Sequence, residues 1–370
     1  MKKILEYLPK DWKEKAKELG AMSRDSGVIR DAGSLLRLNM LYVTNDGSFQ
    51  MAATGLAMTE GIAISKVAAF KRVRKSAEWL RWLAKEVCAS QGASIAKPMF
   101  LGERHVKLYD ASDETTRGKE KATWRLHYCF DLFEFKCAEM ELTTNKEGER
   151  LTRHEMNKSD IVIADRIYCT MSGMEHVLAN KADFVLRFKS KAFNLYDEEG
   201  NRLELLSFLK TLKPLESTDV KCYYKLSDGT LRPLRIVAMK KDAKAIAESK
   251  RKMDRKVSKK QEKEIQADTV ELNEYVVLAT SLDYTNDQIL ELYRARWQIE
   301  QVFYRLKSLF GYGDVPSKNP DTVQAWFYGK LLLAALCESI LKGVAFSPEL
   351  EPIIVDLVGA QFVDRLVGHP

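Results

Sequence analysis

Four polar side chains in the C-terminal half of the chain recur at a spacing that could place them on one side of a helix: Tyr293, Arg296, Glu300 and Lys307. Because an α-helix turns about 100° per residue, these positions share one narrow stripe. Such a stripe suits the wall of an active site, where the carboxylate binds metal and the cations hold phosphates. The alternative is a structural helix with an Arg296–Glu300 i,i+4 ion pair worth a few tenths of a kcal/mol.

The segment around this stripe has the signals of one long helix. Thr285 with Gln288 three residues later is a capping-box start, and Gly311 is a natural stop. Leucine, isoleucine, valine and phenylalanine side chains form a separate apolar face, which we expect to pack against the core. The third, solvent-facing side consists of Arg294, Gln298, Gln301 and Arg305.

Two aspartates follow segments that are predicted to be strands. Asp110 is placed at the end of a β-rich segment, and Asp165 follows the buried-strand pattern DIVIA. An aspartate at a strand end is usually only a turn former, and Asp113 is a rival for the first position. If the two aspartates meet Glu300, their carboxylates can bind hard cations such as Mg²⁺. Two such ions can activate water or a 3′-hydroxyl and stabilise the leaving oxygen of a phosphodiester.

The elements that must position these side chains follow an α/β order from about residue 100. Three β-rich segments come first, then the strand before Asp165, a helix near 171–181 and a strand near 183–190. Another strand, the long helix and a second helix near 321–343 complete the order. This succession suits, without demanding, a ribonuclease H-like core, in which helices flank a mixed sheet.

Residues 190–272 interrupt this α/β pattern. Short strand-like segments, among them LRPLRIVAM, are followed by a lysine-rich stretch that predicts an exposed helix. Between Lys240 and Lys263 this stretch has eleven basic and four acidic residues. A solvated face is the ordinary explanation of such a helix, and contact with a DNA backbone is the functional one.

The first 95 or so residues are predicted to be helical. Residues 51–83 indicate a helix, a turn at Glu60–Gly61 and a second helix with Ser65 as its N-cap. A helix-turn-helix with a basic second helix can enter the major groove and contact phosphates, and an ordinary helical pair is the alternative. The second helix has no acidic residue among its basic ones, which are Lys66, Lys71, Arg72, Arg74 and Lys75.

Composition narrows the class of protein. With 370 residues and a net charge of +7, the chain is long enough for two or three domains and fits a polyanionic partner without proving one. The six scattered cysteines include no C-x-x-C pair, which argues against structural zinc and predicts a reducing cytoplasm. No run reaches the roughly 18 apolar residues of a membrane span.

The stripe and both aspartate segments resemble the IS-4 family of bacterial insertion-sequence transposases, which are of the DDE class. The stripe meets the signature Y-x2-R-x3-E-x6-K, while LYDASD and IVIADRIYCTMSGMEHVLANKADFVLRFK are similar to the family's aspartate motifs. The resemblance covers roughly residues 50–345. It implies that Asp110, Asp165 and Glu300 bind two Mg²⁺ ions, for which Mn²⁺ can substitute, and that they catalyse DNA cleavage.

The resemblance also implies partners and a location. The protein would bind the terminal inverted repeats of an insertion sequence, cleave double-stranded DNA by two-metal hydrolysis and join the 3′-ends to target DNA. A homodimer would bridge two ends in a cytoplasmic, nucleoid-associated complex without membrane contact. The predicted DNA-binding residues of the stripe are Tyr293, Arg296 and Lys307, and Arg187 is the one in the second aspartate motif. The basic helix of the N-terminal part adds Lys71, Arg72 and Arg74.

Three regions are therefore predicted. Residues 1–95 form a helical DNA-binding domain, residues 96–189 and 273–370 form the catalytic core, and residues 190–272 form an insertion of strands and a lysine-rich helix. Two alternatives remain open: a non-catalytic helix-turn-helix protein, or another ribonuclease H-like nuclease such as a resolvase.

Some relatives stack an aromatic side chain of this insertion on a flipped DNA base. The insertion has no tryptophan, so hairpin chemistry is in doubt. The aromatic candidates are Tyr223, Tyr224 and Tyr275.

Overall fold

Five helices form the N-terminal part of the chain in this computed structural model, which describes residues 5–22, 28–90, 97–121, 123–189, 192–260, 267–311 and 314–344. The helices are α1 (Trp12–Glu18), α2 (Ala32–Thr44), α3 (Phe49–Glu60), α4 (Lys66–Lys75) and α5 (Ala77–Ser90). Gly61 ends α3 in the left-handed conformation, with φ of 66°. The Ser65 side chain caps α4 by accepting the Ala68 backbone N–H. The predicted first helix, turn and N-cap are confirmed, but the second helix, predicted to continue to about residue 83, is divided at Ser76 into α4 and α5.

A mixed sheet follows the N-terminal helices. Its strands are β1 (His105–Thr116), β2 (Trp124–Asp131), β3 (Lys136–Thr144), β4 (Asp160–Ala164), β5 (Asp183–Arg187), β6 (Ser217–Lys225), β7 (Leu231–Lys240) and β8 (Tyr275–Thr280). Their order is β3-β2-β1-β4-β5-β8-β7-β6, and the short β9 (Asp314–Val315) pairs with β1. Strands β1, β4 and β5 are parallel to one another, and the other neighbours in this order are antiparallel.

Helices cover both faces of this sheet. The helices that follow β4 in the chain are α6 (Met171–Ala179), α7 (Leu205–Leu209), α8 (Ala243–Lys260), α9 (Ala267–Leu272), α10 (Asn286–Arg294), α11 (Trp297–Phe310) and α12 (Pro320–Val344). Because side chains alternate along a strand, Leu108 packs on the face of α10, α11, α12 and the N-terminal helices, whereas Tyr109 packs on the face of α6 and α7. This arrangement confirms the predicted ribonuclease H-like α/β fold.

The helix predicted between Thr285 and Gly311 is divided in two. The capping box at Thr285 and the left-handed Gly311 are both present, so the predicted ends are confirmed. Between them, the N–H groups of Arg296 and Gln298 bond to carbonyls three residues back, which tightens the backbone and separates α10 from α11. Neither proline nor glycine marks this break, and Arg296 becomes the N-cap of α11.

Strands within residues 190–272, the predicted insertion, extend the sheet at one edge. Strand β7 pairs with β8, β6 pairs with β7, and the predicted lysine-rich helix is α8, which begins directly after β7. None of the described helices combines the length and apolarity that crossing a bilayer requires. All six cysteines are free thiols.

Candidate active site

Asp110 and Asp165 lie side by side where β4 ends. Strands β1 and β4 run parallel, and their pairing stops one residue before each aspartate. Alternate side chains share a face, so the two carboxylates lie on the side where Leu108 and Ile163 are buried, which α10 and α11 cover. Asp165 is close enough for its negative charge to raise the pKa of Asp110.

Asp110 lies inside β1 and not at the strand end that the sequence predicts. Strand β1 continues to Thr116 because β2 pairs with it as far as Glu114. On its other side, β4 stops before Asp165. Asp110 therefore lies at the end of the parallel pairing, although it is in the interior of its own strand.

Glu300 approaches Asp110 from the first turn of α11, and Arg296 connects them. The Arg296 guanidinium lies 3.6 Å from Asp110 Oδ2 and donates a hydrogen bond to Glu300 Oε1. The Asp110 side chain is 20% exposed and that of Glu300 is 46% exposed. The structure thus brings three carboxylates from distant parts of the chain to one place that solvent can reach.

The surroundings of Asp110 favour its neutral form. Burial is the main reason that its pKa rises to about 6, and repulsion by Asp165 and Glu300 adds to the increase. The Ala111 backbone N–H and the charge of Arg296 oppose it. A carboxyl group that is buried among other carboxylates gains more from a nearby cation than an isolated surface aspartate does.

This set of oxygen donors fits a hard divalent cation. Asp110, Asp165 and Glu300 supply carboxylate oxygens, which Mg²⁺ prefers as protein ligands. Because a ligand must be deprotonated, a cation competes with the proton on Asp110. The three residues are therefore suitable ligands for a divalent metal ion.

A second group of potential metal ligands lies at the other end of β1. His105 Nδ1 is 3.3 Å from an Asp131 carboxylate oxygen and 3.4 Å from one of Glu134. Lys136 forms an ion pair with Glu134, and two backbone N–H groups donate to Asp131. Much of the charge of this group is therefore already balanced by the protein, and it is separate from Asp110.

Arg187 and Tyr293 border the carboxylates on the side of β5. Arg187 ends β5 and donates a hydrogen bond from Nη2 to the Tyr275 carbonyl at 3.0 Å. The Arg296 guanidinium carbon lies 5.9 Å from the centre of the Tyr293 ring. Burial raises the pKa of Tyr293, so its hydroxyl keeps the proton and can donate a hydrogen bond.

Lys307 lies at the other end of α11 from Arg296. Its Nζ is 3.4 Å from Glu114 Oε1 and 3.4 Å from the Asp113 carbonyl oxygen. The predicted stripe therefore runs alongside β1, with Arg296 at Asp110 and Lys307 at Glu114.

Asp113 lies on the opposite face of β1 from Asp110. Its carboxylate accepts two hydrogen bonds from Arg125, at 2.7 and 3.1 Å. The geometry therefore favours Asp110 over Asp113 as the partner of Asp165 and Glu300.

Glu149 is a further carboxylate near the site, and nothing in the sequence marks it. It lies in the loop after β3, its side chain is 15% exposed, and Arg125 is 3.6 Å away. Burial raises the pKa of Glu149, and the charge of Arg125 opposes this increase. The negative charges of Asp110, Asp113 and Asp165 add to the increase. Because Glu149 has no strand pattern or motif around it, only the folded chain shows that it is close to the aspartates.

The basic residues of α4 belong to the N-terminal helical part. Helix α4 packs against α3, α5 and α12. Lys71 is exposed, and Arg74 Nε lies 3.4 Å from Asp321 Oδ2 at the start of α12. Arg72 is half-buried on the same helix. These three residues thus form a surface distinct from the carboxylates.

Two of the three tyrosines proposed to stack on a base are buried. Tyr224 is 0% exposed and donates a hydrogen bond to Glu175, and Tyr275 is 2% exposed. Neither can stack on a DNA base without leaving the core, so the prediction for these two residues is wrong. Tyr223 alternates with Tyr224 along β6 and is partly exposed.

Residues 106–336 match the family model described as the transposase DDE domain. The match extends from β1 into α12 and includes all three carboxylates, which defines the class of protein as a DDE transposase. Within that class, the chain belongs to the IS-4 family of insertion-sequence transposases.

Curated relatives resemble the chain over most of its length. It is 30% identical over 343 residues to the transposase for insertion sequence element IS421 of Escherichia coli, covering 90% of this chain and 91% of the relative. It is 29% identical over 342 residues to the putative transposase InsL for insertion sequence element IS186A of E. coli K12, with the same coverage. A shorter match is 29% identical over 146 residues to the transposase for insertion sequence element IS231F of Bacillus thuringiensis subsp. israelensis, and it covers 38% of this chain and 30% of the relative.

Proposed function

We propose that the protein cleaves the ends of an insertion sequence and joins the 3′-ends to target DNA. Asp110, Asp165 and Glu300 are the proposed catalytic residues. The observation that carries this proposal is that Asp110 and Glu300 meet at Arg296 while Asp165, directly after β4, lies next to Asp110, all within a DDE transposase domain. Carboxylates so arranged resemble those of two-metal phosphodiester chemistry.

We propose Mg²⁺ as the metal, with two ions held by these carboxylates and Mn²⁺ as a substitute. Bound metal would supply Lewis acidity to the attacking and leaving oxygens. The protein's own contribution is to hold the carboxylates together on β1, directly after β4 and on α11, in a partly buried place where Asp110 releases its proton above about pH 6.

The neighbouring donors suit the phosphate groups of the substrate. Arg296 can present its planar guanidinium to two phosphate oxygens, and the protonated Tyr293 hydroxyl can donate to another. Lys307 and Arg187 place further positive charge on either side. These four residues would orient the DNA strand so that the reacting phosphate faces the carboxylates.

DNA is also proposed to contact the N-terminal domain, residues 1–95, through Lys71, Arg72 and Arg74 of α4. The catalytic core is assigned to residues 96–189 and 273–370, and the insertion to residues 190–272. A homodimer is proposed because the two element ends must be cut in one paired complex. Its place of action would be the bacterial cytoplasm, on nucleoid DNA.

The test is the Glu300→Gln variant on a supercoiled plasmid that carries both ends of the element. The variant should lose Mg²⁺-dependent cleavage by at least about 100-fold because a metal ligand is lost, while it still binds an end duplex because every basic residue proposed to contact DNA is kept. Glu291→Gln, the same change at an exposed position of α10, is the matched control and should cleave normally.

Cleavage by Glu300→Gln at the rate of the unmodified protein would remove this residue from the mechanism. If the unmodified protein binds ends without cutting them, it is a non-catalytic DNA-binding protein. If it prefers a four-way junction to linear ends, it is a resolvase.

A further inference from the structure

Three basic residues follow one edge of the sheet beyond the carboxylates. Arg166 comes directly after Asp165, Arg187 ends β5, and Lys241 comes directly after β7. Strand β8 is antiparallel to both β5 and β7, so β7 runs in the same direction as β5 and β4. The three residues therefore lie at the same edge as Asp165, in the order in which their strands cross the sheet.

Lys241 is held in place with its ammonium group beside the arginines. Its Nζ donates to Ser249 Oγ at 2.9 Å and to the Asn273 carbonyl at 2.5 Å. An ammonium group has three donors, so one is left. Burial lowers the pKa of Lys241 to about 8, and the charges of Arg187 and Arg166 contribute to the decrease.

Arg187 likewise has donors to spare. Of its five N–H donors, one bonds to the Tyr275 carbonyl, and no other hydrogen bond joins its guanidinium to the described residues. Burial lowers the pKa of Arg187, and Arg166 and Arg296 add repulsion, while Tyr293 and Asp165 oppose the change.

The same short segment fixes both cations. The Asn273 carbonyl accepts from Lys241 Nζ, the Glu274 carbonyl accepts from the Lys241 backbone N–H, and the Tyr275 carbonyl accepts from Arg187. Among the described residues, no carboxylate lies within ion-pair distance of Arg166, Arg187 or Lys241. Arg187 and Lys241 are partly buried without a counter-ion, which is unfavourable, and an anion would relieve both their repulsion and their desolvation.

We propose that Lys241, Arg166 and Arg187 form a binding subsite for a backbone phosphate of the DNA substrate, next to the phosphate that is cut. The proposal rests on the proposed function, which brings a DNA strand to Asp165. It gives the insertion a direct part in substrate binding, because Lys241 belongs to residues 190–272. The ligand class is a phosphodiester, which supplies the negative charge and oxygen acceptors that these donors lack.

The experiment compares Lys241→Gln with Lys241→Arg in the full-length protein. Glutamine removes the charge but keeps an amide that can donate to the Asn273 carbonyl, so a purely structural role would be largely retained. Lys240→Gln is the matched control, because Lys240 is the adjacent lysine and lies over the Tyr275 ring on the opposite face of β7.

Binding of a duplex that carries one element end is measured without divalent metal at salt concentrations from about 50 to 200 mM. The slope of log K against log salt concentration should become shallower by about 0.9 in Lys241→Gln, because one phosphate contact is lost. Lys241→Arg and Lys240→Gln should keep the original slope. Arg166→Gln, a change at an exposed side chain, should reproduce the loss even if Lys241→Gln folds poorly.

An unchanged slope in both Lys241→Gln and Arg166→Gln, or an equal loss in Lys240→Gln, would overturn the subsite. The proposed function is tested separately, by the binding and cleavage of element ends by the unmodified protein. If that protein binds and cuts element ends while the Lys241→Gln slope is unchanged, only the subsite is wrong. If it neither binds nor cuts them, both proposals fail.

Discussion

Arg296 has a double role in the proposed site. It pairs with Glu300 and lies against Asp110, and its positive charge lowers the pKa of Asp110. One guanidinium thus offsets part of the repulsion among three carboxylates. We expect bound divalent metal to replace this compensation, which would leave the Arg296 donors available for a phosphate.

At the scale of this residue cluster, Asp110→Asn should stabilise the metal-free protein near pH 7.5. The pKa of Asp110 rises from its ordinary 3.8 to about 6, so the folded protein holds this proton more tightly than the unfolded chain. The stability that the folded protein gains from this tighter proton binding is present near pH 4 and is lost as the pH rises to about 6 and above. The gain from asparagine should be on the order of 2 kcal/mol.

Urea unfolding in the presence of a chelator, at about pH 7.5 and pH 4, measures this gain. Asp113→Asn is the control: it breaks the bidentate pair with Arg125 and should not stabilise the protein at either pH. An equal gain for Asp110→Asn at both pH values would contradict the role of burial in raising the pKa of Asp110.

Mg²⁺ should raise the thermal unfolding midpoint of the unmodified protein and have little effect on Asp165→Asn. Ligand that binds only the folded state stabilises it by about 2.7 kcal/mol at 100 times its dissociation constant. The response should weaken below about pH 6, where Asp110 is protonated.

His105→Ala tests the second group of potential ligands in the same assay. It should keep the full Mg²⁺ response. A response that survives in Asp165→Asn but disappears in His105→Ala would place the metal with Asp131 and Glu134 instead.

At the scale of elements, α11 and β1 determine the geometry of the site together. Helix α11 places Arg296 against Asp110 and, near its other end, Lys307 against Glu114. Eleven helical residues rise about 17 Å and four strand residues about 13 Å, so the two spacings are similar. The contact of Lys307 with Glu114 therefore helps to fix the orientation of α11 along β1, and with it the direction in which the Glu300 side chain projects.

Lys307→Met should destabilise the protein by about 1 kcal/mol, because it leaves the Glu114 carboxylate, which is 1% exposed, without its cation. Adding Glu114→Gln should recover most of that loss, as a double-mutant cycle of unfolding free energies would measure. DNA binding should remain weakened in the double variant, because the positive charge is still missing. Additive losses of stability would show that the pair does not couple.

At the scale of the whole molecule, the N-terminal helices and the sheet share a continuous core. The Tyr328 hydroxyl of α12 accepts a hydrogen bond from the Leu142 backbone N–H of β3. On α12, a Cβ at Gly329 would lie 2.7 Å from Val43 of α2, so a side chain there has no space. Helix α12 thus joins the proposed DNA-binding helices to the sheet that holds the carboxylates. DNA bound by α4 would therefore meet a surface that is packed against the catalytic core.

Local sequence determined much of this architecture. The cap at Ser65, the stops at Gly61 and Gly311 and the capping box at Thr285 depend on hydrogen bonds within a few residues, so the sequence predicts them directly. The apolar run before Asp165 likewise predicts a strand that is buried on both faces. The spacing of the four stripe residues is also a property of the sequence alone.

Only the tertiary structure decided the rest. The position of Asp110 within β1 depends on how far β2 and β4 pair with that strand, and both partners come later in the chain. Tyr224 is buried because β6 joins the larger sheet, and Glu149 and Lys241 approach the site through strands distant in sequence. Such contacts depend on the register between separate segments, which the residue pattern within any one segment does not specify.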